Sequence, residues 1–243
     1  MSANHQILSE VVTDTRLQYL QLLETTTVGR DEVEAFIHEV FARAYDANVT
    51  KYLPRLLALR NHQNRILAAL GMQNAADANL FLEQYLDESV DVMLSRLLGS
   101  AVRREEIIEI GNLASIHRGG LQHLIVAMTA YLSGLGSKWV VFTAVPAVQK
   151  AFAAIGLTLV PLAVAEKHRL GDEQEQWGSY YESGPIVVAT RVESAFLRLR
   201  DAVHQESTFR ASLHLWEQAF IEGFRTRTTH MNYLPQLAVG GGA

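Results

Sequence analysis

The stretch from Ile107 to Leu162 constrains this chain most: IIEIGNLASIHRGGLQHLIVAMTAYLSGLGSKWVVFTAVPAVQKAFAAIGLTLVPL. Its apolar runs read in order as strand, glycine turn, helix, strand, helix, strand, which places the chain in the mixed α/β class. The first strand ends in Leu113-Ala114-Ser115, and the turn is His117-Arg118-Gly119-Gly120-Leu121. A turn that leads straight into a helix exposes unpaired backbone N–H groups and the positive end of the helix dipole. Glycines there let an anion such as a phosphate approach the backbone closely.

Composition narrows the function classes. With 243 residues, 49% hydrophobic and 19% charged, the chain has enough apolar side chain for a full core. A net charge of −5 supplies no basic field, so nucleic acid is not expected as a partner. The absence of cysteine removes disulfides, thiolate metal sites and a cysteine nucleophile together. The first residues show no basic cluster followed by an apolar run, and no apolar stretch reaches the ~20 residues needed to span a bilayer. The expectation is a cytoplasmic protein.

Along the chain, 14–24 alternates weakly and is read as a strand, and Asp31 to about Asn48 is read as a helix. Two strands, Tyr52–Arg60 and Arg65–Gln73, flank the polar turn Asn61-His62-Gln63-Asn64 and suggest a hairpin. Phe81–Leu86 is read as a further strand. Ser89–Leu98 is read as a helix closed by Gly99, with Val90, Met93, Leu94, Leu97 and Leu98 inward. After the core block, 164–178 is a polar loop or short helix, and Pro185–Val192 a β-branched strand. From Glu193 to about Arg227 the pattern is helical again, with a break near Ser207. This divides the chain into an α/β domain, 1–192, with a mixed central sheet flanked by helices, and a C-terminal helical appendage with a glycine tail, 193–243.

In order and spacing the core block resembles the acyl-coenzyme-A-binding core of the GNAT superfamily of acyltransferases. There an Arg/Gln-x-x-Gly-x-Gly/Ala-type loop follows the strand; here Arg118-Gly119-Gly120 takes its place in compressed form. AVQKAFAAIGL (147–157) resembles that family's second-helix ending, with Phe152 where a tyrosine stands and Leu157 where an aromatic stands. In many GNAT members that phenol is thought to protonate the departing thiolate, and phenylalanine has no proton to donate. A closer resemblance covers nearly the whole chain. FLEQYLDESVD (81–91), IIEIGNLA (107–114), WVVFTAVPAVQKAFAAIGL (139–157) and WGSYYE (177–182) are similar to strings of the bacterial thermostable hemolysin family. That family resembles the GNAT fold and, in outline, the acyl-homoserine-lactone synthases; its name describes a lysis phenotype and not a mechanism.

The resemblance implies site residues. Glu109, in an otherwise apolar strand, would be the catalytic carboxylate, a base or amine anchor whose pKa desolvation raises; the plain alternative is a solvated face or a core arginine partner. Leu113, Ala114 and Ser115 would offer a strand edge to pantetheine amides, and Arg118, Gly119, Gly120 and Leu121 would meet its phosphates. Glu83, Tyr85, Asn112, Phe142 and Phe152 are assigned to substrate binding. For Glu83 and Tyr85 the alternative is a salt bridge and a half-buried tyrosine, and for Asn112 a hydrogen bond that pins a strand bend. Trp177, Tyr180 and Tyr181 would cap the cleft or plug the structure. His117 and His123 have no ligand spacing, and no metal is expected.

Three functions follow. The first is an acyltransferase that moves an acyl group from acyl-CoA or acyl carrier protein, as co-substrate and not as a tightly bound cofactor, to a small amine. The second is a membrane-damaging protein acting through the C-terminal stripe Phe196, Leu199, Val203, Phe209, Leu213, Trp216, Phe220 and Phe224, which otherwise packs on the domain or a homodimer partner. The third is a catalytically inactive acyl-CoA-binding module.

Overall fold

Among the residues that the computed structural model describes, 19–116, 118–205 and 212–232, seven strands form one mixed sheet. They are β1 (Tyr19–Leu23), β2 (Arg55–Arg60), β3 (Ile66–Asn74), β4 (Ile107–Ser115), β5 (Trp139–Ala144), β6 (Val160–Val164) and β7 (Ile186–Arg191). Their order across the sheet is β1-β2-β3-β4-β5-β7-β6. Helices are α1 (Arg30–Tyr45), α2 (Val90–Leu98), α3 (Arg118–Leu135), α4 (Pro146–Ala154), α5 (Val192–Gln205) and α6 (Leu213–Asn232). Strands β4 and β5 pair in parallel and all other neighbours antiparallel. The parallel pair needs a crossover, which α3 supplies.

Two faults in the ladder position the site. Pairing of β4 with β5 runs from Ile107–Trp139 to Ile110–Phe142 and stops. Beyond that point β4 continues beside β3, and β5 beside β7, so the strands part like a wedge. On the other edge of β4, Gly111 faces Gly71 and Ala114 faces Ala69, leaving Asn112 and Leu113 together opposite Leu70. Asn112 sits at φ 51, the left-handed region that asparagine tolerates. Such a bulge bends its strand and turns it away from its former partner.

Each face of the sheet is covered. Helices α3, α4, α5 and α6 bury one face in a core that includes Ile108, Ile110, Val140, Phe142 and Val188. On the other, α2 and the segments around 81–86 and 165–181 cover Ile107, Val141 and Ala189, while α1 covers Leu56, Ala58 and Ala69. The segment expected as an appendage shares the first of these cores, through Leu199, Val203, Leu215 and Trp216. A Cβ on Gly134 of α3 would meet the Phe220 carbonyl at 2.2 Å, and one on Gly223 of α6 the Tyr131 carbonyl at 2.0 Å. These helices therefore cross backbone to backbone, which only glycine permits.

Most expected elements occur within a few residues of their expected bounds. Residues 14–18 of the first expected strand lie outside the described residues. Phe81–Leu86 is not a strand: Phe81–Tyr85 is a short 3-10 helix. Its start is held by side chains, since the Glu83 carboxylate accepts the Leu80 N–H at 2.9 Å and the Glu109 carboxylate accepts two more. Leu97 and Leu98 face outward, 56% and 45% exposed, because the nine-residue α2 buries only Val90 and Leu94. Of the C-terminal stripe, Phe209 lies outside the described residues.

Candidate active site

The parting strands open a cavity of about 170 Å³. Ile110, Gly111, Asn112 and Leu113 of β4 form one wall and Phe142 and Thr143 of β5 the other. Segment 48–53 also lines the cavity and is pinned by the bulge. Asn112 Oδ1 accepts the Leu53 N–H at 2.9 Å, and its Nδ2 donates to the Lys51 carbonyl at 3.1 Å. A Cβ on Gly71 would lie 2.8 Å from both Asn112 Oδ1 and Leu53 Cβ, so this glycine makes room for the clamp. Asn112 thus lines the cavity and also fixes the bend.

Glu109 lies at the floor of the wedge, on the last paired stretch of β4, between Gln73 and Val141. It is 3% exposed and lines the cavity. Neither a solvated face nor an arginine partner accounts for it. Its Oε2 accepts the Phe81 N–H at 2.8 Å and its Oε1 the Leu82 N–H at 2.9 Å. Burial pushes its pKa up, the two N–H donors offset only part of that, and the result is about 7. A carboxyl poised there exchanges its proton near neutral pH, as a general base must.

Aromatic rings build a further wall, bonded to the clamp segment through Asn48 and Lys51. Trp177, Tyr180 and Tyr181 line the cavity together with Phe41 and Tyr45 of α1. Tyr180 meets Tyr45 edge-on at 5.1 Å and Tyr181 at 5.2 Å. Trp177 bridges to Phe81 at 5.6 Å. The Tyr85 and Tyr181 hydroxyls are hydrogen-bonded to each other. Burial raises both phenols, Tyr181 to about 12, so they stay protonated and can donate at neutral pH. The wall is tied to the end of α1 by the Ser179 N–H to the Tyr45 carbonyl at 2.8 Å, and to segment 48–53 by the Asn48 N–H to the Gln176 carbonyl at 2.6 Å.

Of the residues singled out from sequence, Tyr85, Glu109, Asn112, Leu113 and Phe142 line this cavity. Glu83 does not: its carboxylate accepts from Arg104 Nη1 at 2.7 Å and from the Val90 N–H at 3.0 Å. Burial would raise its pKa, but Arg104 and the backbone donors outweigh that and hold it below the ordinary value. Phe152 is buried behind Phe142, with which it stacks at 4.9 Å, so it does not stand where a proton donor to the cavity would. Ala114 and Ser115 continue β4 past the cavity, and Gly119, Gly120 and Leu121 lie in the first turn of α3. The side chain of Arg118 lies outside the described residues. Among the described residues, no group of three or more His, Cys, Asp or Glu side chains converges as a metal site. Sequence reading missed Phe41, Tyr45 and the 48–53 clamp. Gly111-Asn112 inside a strand was the available signal, since such a pair marks a bulge.

Comparison with known proteins agrees with this architecture. The family described as thermostable hemolysin matches residues 23–196. No curated protein matches the chain. Among solved structures, TofI in an apo form superposes with a TM-score of 0.54 at 10% identity, over 76% of this chain and 96% of that one. BjaI, a CoA-dependent acyl-homoserine lactone synthase with SAM and isopentyl-CoA, gives 0.52 at 12% identity, over 82% and 99%. At such identities the likeness is one of fold, and the fold is GNAT-like.

Proposed function

The chain belongs to the thermostable hemolysin family, and we propose that it is an N-acyltransferase that moves an acyl group from a coenzyme A or carrier-protein thioester to a small amine. One observation carries this reading: a buried carboxyl with a pKa of about 7 lies at the floor of a wedge between two parted parallel strands. The fold neighbour BjaI, described with SAM and isopentyl-CoA, is support of a coarser kind: an amine and a thioester on a similar frame.

The pantetheine arm extends along the edge of β4 that β5 leaves free, at Leu113, Ala114 and Ser115. The phosphates meet backbone N–H groups of the Arg118–Leu121 turn, where the dipole of α3 favours anions. The amine enters as an ammonium between Glu109 and the aromatic wall, a pairing that cation–π attraction assists. Glu109 takes its proton, the free amine nitrogen attacks the thioester carbonyl, and a C–N bond forms. The tetrahedral oxyanion is held by backbone N–H groups of β4. The C–S bond then breaks, and the thiolate takes the proton that the nitrogen sheds. Thiols leave readily near neutral pH, so Phe152 in place of a phenol removes nothing this reaction needs.

The test combines thiol release from acyl-CoA with mass spectrometry of the amine products. An N-acyl product formed with one equivalent of thiol supports the reading. Coenzyme A that binds without turnover in any amine mixture supports the inactive module instead. Contact with lipid is a second reading, favoured by Leu197, Phe220, Ile221 and Phe224, which are 38–54% exposed on α5 and α6. Among the described residues no helix is long and apolar enough to cross a membrane, so this reading is limited to surface contact. Leakage of anionic liposomes that Phe224→Glu abolishes would support it, and leakage identical in both proteins, or none, would end it.

A further inference from the structure

Phe142 is the last residue of β5 paired with β4, so its ring stands at the vertex of the wedge. Phe142 lines the cavity and belongs to the core packed under α3. Directly behind it Phe152 of α4 stacks at 4.9 Å with planes 29° apart, and both rings are 2% exposed. Behind Phe152 lies a second, apolar cavity of about 10 Å³, lined by Met128, Leu132, Val140, Leu157 and Ala195. Val140 of the rear cavity and Phe142 of the front one share one face of β5, and Phe152 and Val148 one face of α4, so the two cavities are neighbours. The stacked pair is the partition between them.

We propose that the Phe142–Phe152 pair is the stop that sets how long an acyl chain this site accepts. This rests on the acyltransferase reading. The amine and its carboxylate partner occupy the aromatic side of the cavity, which leaves the vertex as the apolar exit for the chain. A chain that reaches the vertex meets the face of Phe142, and Phe142 cannot swing away because Phe152 fills the space behind it. Interiors are packed at crystal-like density, so a ring so backed does not yield to extra methylenes. A dry apolar cavity of ~150 Å³ holds about one benzene-sized group. The open volume here, about 170 Å³ for amine and acyl group together, is of that order and leaves room for a short chain. Phe152 is a positioning residue in this scheme: it acts through Phe142.

The test titrates the full chain with butyryl-, hexanoyl-, octanoyl- and dodecanoyl-coenzyme A and, separately, with the matching free fatty acids. Wild type is expected to bind the dodecanoyl thioester at least about tenfold more weakly than the hexanoyl one. Phe142→Ala should move the optimum to longer chains, and the double variant with Phe152→Ala should move it further by joining the rear cavity. Phe142→Leu and Phe152→Leu serve where the alanine variants do not fold, with smaller shifts in the same direction. Thioesters bound in an unchanged length order by all folded variants would overturn the stop and leave the acyltransferase reading standing. Wild type that takes dodecanoyl as readily as hexanoyl would do the same. Fatty acids sorted by length with no thioester bound would keep the stop and overturn the donor assignment.

Discussion

Glu83 and Glu109 both accept backbone N–H groups at the start of the same short helix, yet their surroundings drive them in opposite directions. Glu83 has the Arg104 guanidinium at 2.7 Å, and Arg104 in turn holds Asp91 at 3.0 Å. Arg104 bonds both carboxylates and so fastens α2 to the 3-10 helix. Glu109 has two N–H donors and, among the described residues, no cation bonded to it. Burial lowers the acidity of a carboxyl unless a positive charge compensates, so one carboxyl stays ionised and the other titrates near 7. Sequence places both in strings similar to one family; only the position of Arg104 separates structure from chemistry.

Removing each carboxylate should therefore produce different losses. Glu109→Gln is expected to lower kcat/KM by about 10²–10⁴, the usual worth of a positioned base, while thioester binding changes little. Equal thioester binding and an equal rate in both proteins would reduce Glu109 to a helix cap. The pH dependence of stability separates the pair next. The folded pKa of Glu109 lies above its unfolded value, so its ionisation opposes folding: stability falls as pH rises from 4.5 to about 7, by roughly 3 kcal/mol. Glu83 runs the other way, since its folded pKa is lowered: its contribution is present above the ordinary carboxylate value and is lost as pH falls through the folded one. Urea midpoints across this range should lose the neutral-side slope in Glu109→Gln and the acid-side slope in Glu83→Gln. The same slopes in both variants would erase the distinction.

Glu83→Gln should also cost about 1–3 kcal/mol of stability, because the partly buried Arg104 and two N–H groups lose an ionised acceptor. A melting temperature equal to wild type would contradict that. The smallest effect is expected at the clamp. Asn112→Ala removes two hydrogen bonds to segment 48–53, about 0.5–1.5 kcal/mol each, and adds strain at a positive φ. Faster amide exchange at Leu53 with the global stability little changed would be its signature, and unchanged exchange would remove the clamp.

Much of the frame is legible in sequence because it follows period and breakers. The strand–helix–strand–helix–strand order from Ile107 to Leu162, the hairpin and α2 with Gly99 as its left-handed cap all depend on neighbouring residues. The 3-10 helix at 81–85 was not legible, since it depends on Glu109, a residue distant in sequence, accepting its N–H groups. The same holds for the site. Glu109 stands out as a carboxylate in an apolar strand, but its pKa depends on burial by segments around 81 and 177. Phe41 and Tyr45 follow a helical period identical to that of core positions, and no local signal marks them as cavity wall. Phe152 was read from a tyrosine position in a related pattern, whereas its ring is committed to Phe142.

The measurement that bears most directly on Glu109 in the wedge is kcat/KM for amine-dependent thiol release from a short-chain acyl-CoA as a function of pH. Wild type and Glu83→Gln should both rise with pH along a limb whose midpoint lies near the Glu109 value of about 7, and Glu109→Gln should lack that limb. The same limb in Glu109→Gln, at the same midpoint, would show that the proton is taken elsewhere and contradict the role given to this carboxylate.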